Sequence, residues 1–382
     1  MRMLFTSNPL VGHWLPMLPL ARAAQQVGHD VVVATGPDAV SGIERRGFTA
    51  WSIGSNLGTI QTGMRSRPGL ETETEEERTV ADGLAMFADP AIGRARDLLG
   101  RTADWQPDIV VREIYELGGT YVAAGLHVLH GLGAHYPNFI KLAERGLAHV
   151  RSDLGEPAWR VAMADTCYID PFPPVLQPPD DQPFTNVIAM RVGAGEVRPD
   201  DVLPDSVLAL PHERTVYLTL GTFFNAAAEF SVPLQALREL PVNVVVTCGY
   251  GADPGAFEPL PPNVVVEQFV SQALLLPRCS AVVCHAGAGT VIGALSQGVP
   301  VVCLPRGADQ FANAEQVARL GAGITLLPDQ VSVESIRNAT RRVLDETSYS
   351  IAARRLRSDI ELLPDPSAVV AELMRRATGR GF

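Results

Sequence analysis

Lysine is almost missing from this chain: among 31 basic residues only Lys141 is lysine, and it lies in NFIKLAE with no glycine-rich run before it. That excludes the G-x-x-x-x-G-K-[ST] loop of P-loop nucleotide binders. Cysteine is scarce too. Cys167, Cys248, Cys279, Cys284 and Cys303 form no C-x-x-C pair and several sit inside apolar runs, so reduced, buried thiols of a cytoplasmic protein are expected rather than a disulfide framework. No apolar run approaches the length of a membrane span. The first residues, MRMLFTSNP, turn polar too soon for a signal-peptide core. Positive charge is in deficit: 31 basic against 42 acidic residues give −11, which argues against nucleic acid or an anionic membrane as partner. An anionic ligand must then be held locally, by backbone and a few side chains.

With 46% hydrophobic and 19% charged residues, the 382-residue chain has ample material to bury and is too long for one core, so two domains are expected. Short β-branched runs alternate with helix-like segments. MRMLFTS, DVVVATG and DIVVRE read as strands, with LPLARAAQQVG as a helix ending at Gly28. After the proline-rich PFPPVLQPPDDQP from 171, which reads as the connection between two halves, the pattern restarts with TVYLTLGT, VNVVVTCG, NVVVEQF, AVVCHAG and VPVVCLP. Alternation of this kind predicts two α/β halves, each a parallel sheet covered on both faces. The acidic run ETETEEER (71–78) reads as a solvated loop or helix face, with a lid over a binding site as the alternative.

CHAGAGTVIGAL (284–295) places small residues between a buried strand and a helix. A strand-to-helix turn presents open backbone N–H groups where the helix dipole favours negative charge, and small side chains let a phosphate approach them. His285, Gly287, Ala288, Gly289 and Thr290 are therefore candidate phosphate-binding residues. The third glycine of the dinucleotide fingerprint is absent, which excludes NAD by its usual motif.

HAGAGTVIGALSQGVPVVCLPRGADQFANAEQV resembles the donor-binding signature of inverting GT-B glycosyltransferases, as do NPLVGHWLPMLPLARA and ERTVYLTLGT elsewhere. It most resembles the bacterial branch that decorates macrolides and enediynes, including the calicheamicin glycosyltransferases. The resemblance implies two Rossmann-like domains facing across a cleft: 1–205 for the acceptor, 206–365 for the donor, and a helix over 366–382 crossing back to the first domain. It implies that His285 and the backbone at Ala288, Gly289 and Thr290 hold the donor diphosphate, that Gly221 and Thr222 face the same phosphates, and that Asp309 and Gln310 bind sugar hydroxyls. Where the family usually stacks a tryptophan on the base, followed by proline and glutamine, this chain reads Phe269, Val270, Ser271 and Gln272.

His13 sits where the family places its catalytic base, and imidazole is the side chain suited to taking a proton from an alcohol near neutral pH. The same dipeptide recurs at Gly28-His29 in a structural setting, so position rather than residue type selects His13. Glu113 stands where an aspartate usually orients that base; the rival reading is a helix-start or surface carboxylate. Gly293 replaces a glutamate that grips both ribose hydroxyls in many relatives. A half-paired buried carboxylate is costly, so a TDP-sugar donor is expected over a UDP-sugar. No D-x-D pair occurs, and no metal is expected, the helix N-terminus and His285 standing in for the cation.

His127, His130 and His135 invite a zinc reading, but their spacing lacks Cys or acidic partners. That segment is expected instead to form a loop lining the acceptor pocket, with Tyr136, Asn138 and Phe139 as wall residues. The reaction implied is inverting transfer of a deoxysugar to a hydroxyl of a small-molecule aglycone, without cofactor, nucleic acid or membrane, and a homodimer is left open. The alternatives are a nucleotide-sugar 2-epimerase and a non-catalytic GT-B partner that stabilises a companion transferase.

Overall fold

Two parallel sheets organise the computed structural model, which describes residues 1–60, 81–134, 139–157, 165–179, 183–198, 200–221, 227–249 and 252–379. The first sheet contains β1 (Arg2–Thr6), β2 (Asp30–Thr35), β3 (Thr49–Ser52), β4 (Ile109–Glu113), β5 (Leu126–His130), β6 (Cys167–Asp170) and β7 (Val187–Ala189), in the order β3-β2-β1-β4-β5-β6-β7. The second contains β8 (Thr215–Thr219), β9 (Asn243–Thr247), β10 (Val264–Glu267), β11 (Ala281–Cys284), β12 (Val301–Cys303) and β13 (Gly323–Thr325), ordered β10-β9-β8-β11-β12-β13. Both sheets therefore start at a central strand, wind outward in one direction, then return and wind in the other. Each has its topological switch point between its first and fourth strands, where side chains at the carboxyl ends of doubly wound sheets gather around ligands.

The strands that were legible as apolar runs are those buried on both faces; β4 and β9 are buried at every position. LHVLH, expected as part of a loop, is instead β5. His127 and His130 are both buried in it, three residues apart and so on opposite faces. The proline-rich stretch is also corrected: β7 follows it and pairs with β6 in register Tyr168↔Val187, so the prolines lie inside the first domain. The chain crosses between sheets after Ala189, where Val192 packs against the cores of both domains.

After β1 come a single-turn helix, α1 (Val11–Trp14), and α2 (Leu18–Gln26), which buries Leu18, Leu20, Ala21, Ala23 and Ala24 and stops before Gly28 at φ +84°. The last helix, Pro366–Gly379, places Val369, Val370 and Leu373 in the same core cluster as α2. The carboxyl-terminal segment thus crosses back onto the first domain. Arg191 N–H bonds Pro364 O at 2.7 Å, fastening the outward linker to the returning one. Apolar contact between domains is direct, since Ala134, Phe172 and Leu176 lie in the core cluster of the second. Among the described residues no helix is long and apolar enough to cross a membrane.

Candidate active site

The first switch point holds an acid–base pair. His13 comes from α1, just beyond β1, and Glu113 is the last residue of β4. His13 Nδ1 lies 3.0 Å from Glu113 Oε2, an ion-pair distance without the alignment of a directed hydrogen bond. Glu113 is fully buried, which removes the surface-carboxylate reading. Its Oε2 also accepts from Asn8 Nδ2 at 2.7 Å and its Oε1 from the Tyr115 N–H at 2.7 Å. Burial alone would raise its pKa, but the charge of the adjoining His13 and the bonds from Tyr115 and Asn8 bring it below the ordinary carboxylate value. Glu113 is therefore ionised at neutral pH. Phe87 walls the imidazole at 5.7 Å between ring centroids and stacks in turn on Tyr115 at 4.9 Å.

The second switch point holds the turn after β11. The imidazole of His285 fills the space beside two glycines: a Cβ at Gly221, after β8, would lie 2.6 Å from its Nε2, and one at Gly287 only 2.4 Å. Those glycines are thus explained first by the ring rather than by an approaching phosphate. Gly289 differs, because nothing lies within 4 Å of the Cβ it lacks. The helix that follows, Ala288–Ser296, has no side-chain cap; the Thr290 and Val291 N–H groups both donate to Gly287 O at 3.1 Å, which leaves those of Ala288 and Gly289 open. The side chains of Ala288 and Thr290 are buried, so a ligand meets this turn mainly through the backbone at Ala288 and Gly289. Burial lowers the His285 pKa to about 4, so the ring is a neutral donor at pH 7 and does not stand in for a cation. A cation does lie near: Arg306, paired with Glu229, contributes to that lowering.

Asp309 is held by Asn313, whose Nδ2 donates to Asp309 Oδ2 at 3.0 Å and to Ala286 O at 2.9 Å. Asn313 Oδ1 accepts from the Ala134 N–H of the other domain at 2.9 Å, so one buried amide ties the donor turn, the carboxylate and the first domain together. Opposite them Gly133 is required by closeness, since its Cβ would fall 2.2 Å from Asp309 Oδ2. Desolvation raises the Asp309 pKa, against the bond from Asn313 and the charge of His13. Gln310 uses its Oε1 to hold the N–H groups of Arg306 and Gly307 at 2.9 and 3.3 Å, leaving its amide hydrogens for a ligand.

A model of the erythromycin biosynthesis protein CIII-like C-terminal domain matches residues 231–375. The L-demethylnoviosyl transferase of Streptomyces niveus is 31% identical, covering 97% of both chains. The aclacinomycin-T 2-deoxy-L-fucose transferase of Streptomyces galilaeus is 30% identical over 97% of this chain and 94% of its own. The chain belongs to the antibiotic glycosyltransferases. Among solved structures, glycosyltransferase VinC in complex with DTDP is 26% identical with a TM-score of 0.78 over 100% of both chains. The spinosyn rhamnosyltransferase SpnG complexed with spinosyn aglycone is 26% identical at TM-score 0.78, over 98% of this chain and 100% of its own. The two-domain GT-B fold and a glycosyl-transfer activity follow. Nothing in these relatives singles out the enediyne branch.

In this glycosyltransferase the base-stacking candidate Phe269 is 43% exposed, whereas Val270 is a core residue whose side chain cannot reach a nucleotide. Gln272 donates to Tyr217 OH at 3.3 Å. A Cβ at Gly293 would meet Leu276 Cδ1 at 3.2 Å and Ala194 Cα of the linker at 3.4 Å, so the linker runs where a longer side chain would extend. Thr222, Tyr136, Asn138, His135 and the acidic run 71–78 lie outside the described residues. Phe139 begins a helix to Leu154, and its side chain is outside them too. Asn8, Arg94, Phe87 and Asn313 were missed by sequence reasoning, since each is defined by what it touches far away in the chain.

Buried titratable groups around the cleft set a pH response. Burial lowers His130, like His285, to about 4, and raises Asp170 to about 7 although Gln177 and the Phe172 N–H bond its carboxylate. The histidines take up protons only on unfolding, so their contribution to stability is lost as pH falls from about 6.5 to about 4. Asp170 has the opposite sign: its folded form keeps a proton that the unfolded chain releases, so stability is lost as pH rises from about 3.8 to about 7. Asp170→Asn therefore raises Tm markedly at about pH 8 and little near pH 4, each pKa unit being worth about 1.4 kcal/mol at most. Calorimetric scans at the two pH values check this, and an equal gain at both would contradict it.

Proposed function

We propose that this glycosyltransferase carries a deoxysugar from a TDP-sugar to a hydroxyl of an antibiotic aglycone with inversion at the anomeric carbon. The observation that supports this reading most is the His13–Glu113 pair at the switch point of one sheet, with the loop after β5 packing the first domain against Asp309 and the open helix N-terminus at the switch point of the other. With Nδ1 turned to Glu113, the His13 Nε2 lone pair is left to take the acceptor proton as the oxygen attacks. The new C–O bond forms as the bond from the anomeric carbon to the diphosphate oxygen breaks. Glu113 steadies the imidazolium, and the N–H groups of Ala288 and Gly289 take the charge on the departing diphosphate. A cation is not needed for that charge, so turnover persists in excess EDTA; loss restored by Mg²⁺ would count against the reading.

The thymidine nucleotide is supported by the absence of any carboxylate at position 293 and by the DTDP bound in VinC. The test is a thermal-shift panel with TDP, UDP, GDP and NAD⁺ at equal concentration. Ligand at 100 times its Kd stabilises by about 2.7 kcal/mol, so TDP should raise Tm clearly above UDP. A shift with UDP equal to or above that of TDP would overturn the donor assignment. No shift with any nucleoside diphosphate would overturn the binding turn itself.

A further inference from the structure

Behind the acid–base pair lies a buried charge that the reaction does not touch. Arg94, on the helix Asp89–Trp105, has no exposed surface, and its Nη1 donates to Asn8 Oδ1. Its Nε and Nη2 find no acceptor among the described residues. Asn8 in turn donates from Nδ2 to Glu113 Oε2 at 2.7 Å, the same oxygen that faces His13 Nδ1. Asn8 is itself buried, 1% exposed, so no water competes for its amide.

The chemistry of the three groups dictates the middle one. An arginine guanidinium only donates and an ionised carboxylate only accepts, so a residue bridging them must do both with its two ends. Aspartate at position 8 would have no hydrogen for Glu113, and leucine would serve neither. Arg94 also decides which way the amide points: only with Oδ1 toward the guanidinium does the NH₂ reach Glu113. Released from Arg94, the amide oxygen loses its donor in a buried site, and the amide is held from the Glu113 side alone, free to shift along that single bond.

We infer that Arg94 and Asn8 are positioning residues for the base, a relay in which the buried guanidinium fixes the Asn8 amide, Asn8 fixes Glu113, and Glu113 holds His13 as the Nδ1–H tautomer. The inference rests on the proposed acid–base pair. Other charged groups around Glu113 are accounted for. Arg112 spends its Nη1 on the Ile114 and Glu116 carbonyls at 3.3 and 3.1 Å. Glu116 is capped by Thr6 Oγ1 at 2.6 Å and by the N–H groups of Gly118 and Gly119, both at 2.9 Å. His130 bonds Gly131 O through Nδ1 at 2.7 Å. None of these touches Asn8 or the Glu113 oxygen in question, so the relay is separable from them.

The test uses nitrogen NMR of the imidazole side chains in the full-length, ligand-free protein, because ring nitrogen shifts report which atom carries the proton. It compares wild type with Asn8→Asp, which keeps the volume, and Arg94→Met, which keeps most of the length. Wild type is expected to show His13 as a single Nδ1–H tautomer. Both variants are expected to lose that signature to an exchange average, while the His130 and His285 signals stay put and certify the fold. If Arg94→Met fails to fold, Asn8→Asp decides alone. A folded Asn8→Asp variant that keeps the Nδ1–H tautomer overturns the relay. A wild type in which Nε2 carries the proton instead overturns the acid–base pair beneath it, which is a different failure.

Discussion

His13→Ala lowers turnover by roughly 10³-fold, within the range expected for losing a general base, and leaves TDP affinity within about twofold of wild type. The asymmetry follows from where the ring stands. His13 belongs to the first domain, whereas the open N–H groups of Ala288 and Gly289 belong to the second. Glu113→Gln, which keeps the shape of the carboxylate but not its charge, lowers turnover by on the order of 10²-fold or more, because a neutral amide no longer steadies the imidazolium. Steady-state release of TDP from a TDP-sugar, beside calorimetric TDP titration, separates the two quantities. Unchanged turnover in Glu113→Gln with activity abolished in His13→Ala would dissolve the pair.

Two neighbouring glycines give the second large effect, with opposite signs for stability. Gly287→Ala drives a methyl to 2.4 Å from His285 Nε2, and the half-buried ring, also packed against Gly221, cannot swing away freely. Overpacking of that kind costs about 1–3 kcal/mol, so Tm falls by several degrees and TDP binding weakens with it. Gly289→Ala meets nothing within 4 Å and sits in a helical turn, so stability holds or rises by up to about 1 kcal/mol. Yet on the proposed reading its methyl would fill the space through which a diphosphate reaches the backbone, and TDP affinity falls at least about tenfold, or about 1.4 kcal/mol. Thermal melts and calorimetry on both variants check this. A Gly289→Ala protein that binds TDP as wild type does would remove the phosphate from that turn.

How much of this was legible beforehand depended on how local the cause was. β1, β2, β4 and the strands β8 to β12 announce themselves as β-branched apolar runs, since burial on both faces requires that. β5 was hidden by His127 and His130, polar residues that read as surface although they are buried. β6 and β7 were obscured by the prolines between them, and β13 has only three residues. Glu113 could be read from the end of its strand, and His13 and His285 from the turns that follow theirs. Asn8, Arg94 and Asn313 could not, because an asparagine or arginine in an otherwise ordinary stretch signals nothing until its partners 86, 105 or 179 positions away are in place.

A crystal structure of the complete chain soaked with TDP tests the central claim most directly. The account predicts the diphosphate within about 3 Å of the backbone N–H groups of Ala288 and Gly289, with thymine beside Phe269 and no metal between diphosphate and turn. A diphosphate bound elsewhere, or reaching these residues only through a metal ion, would contradict it.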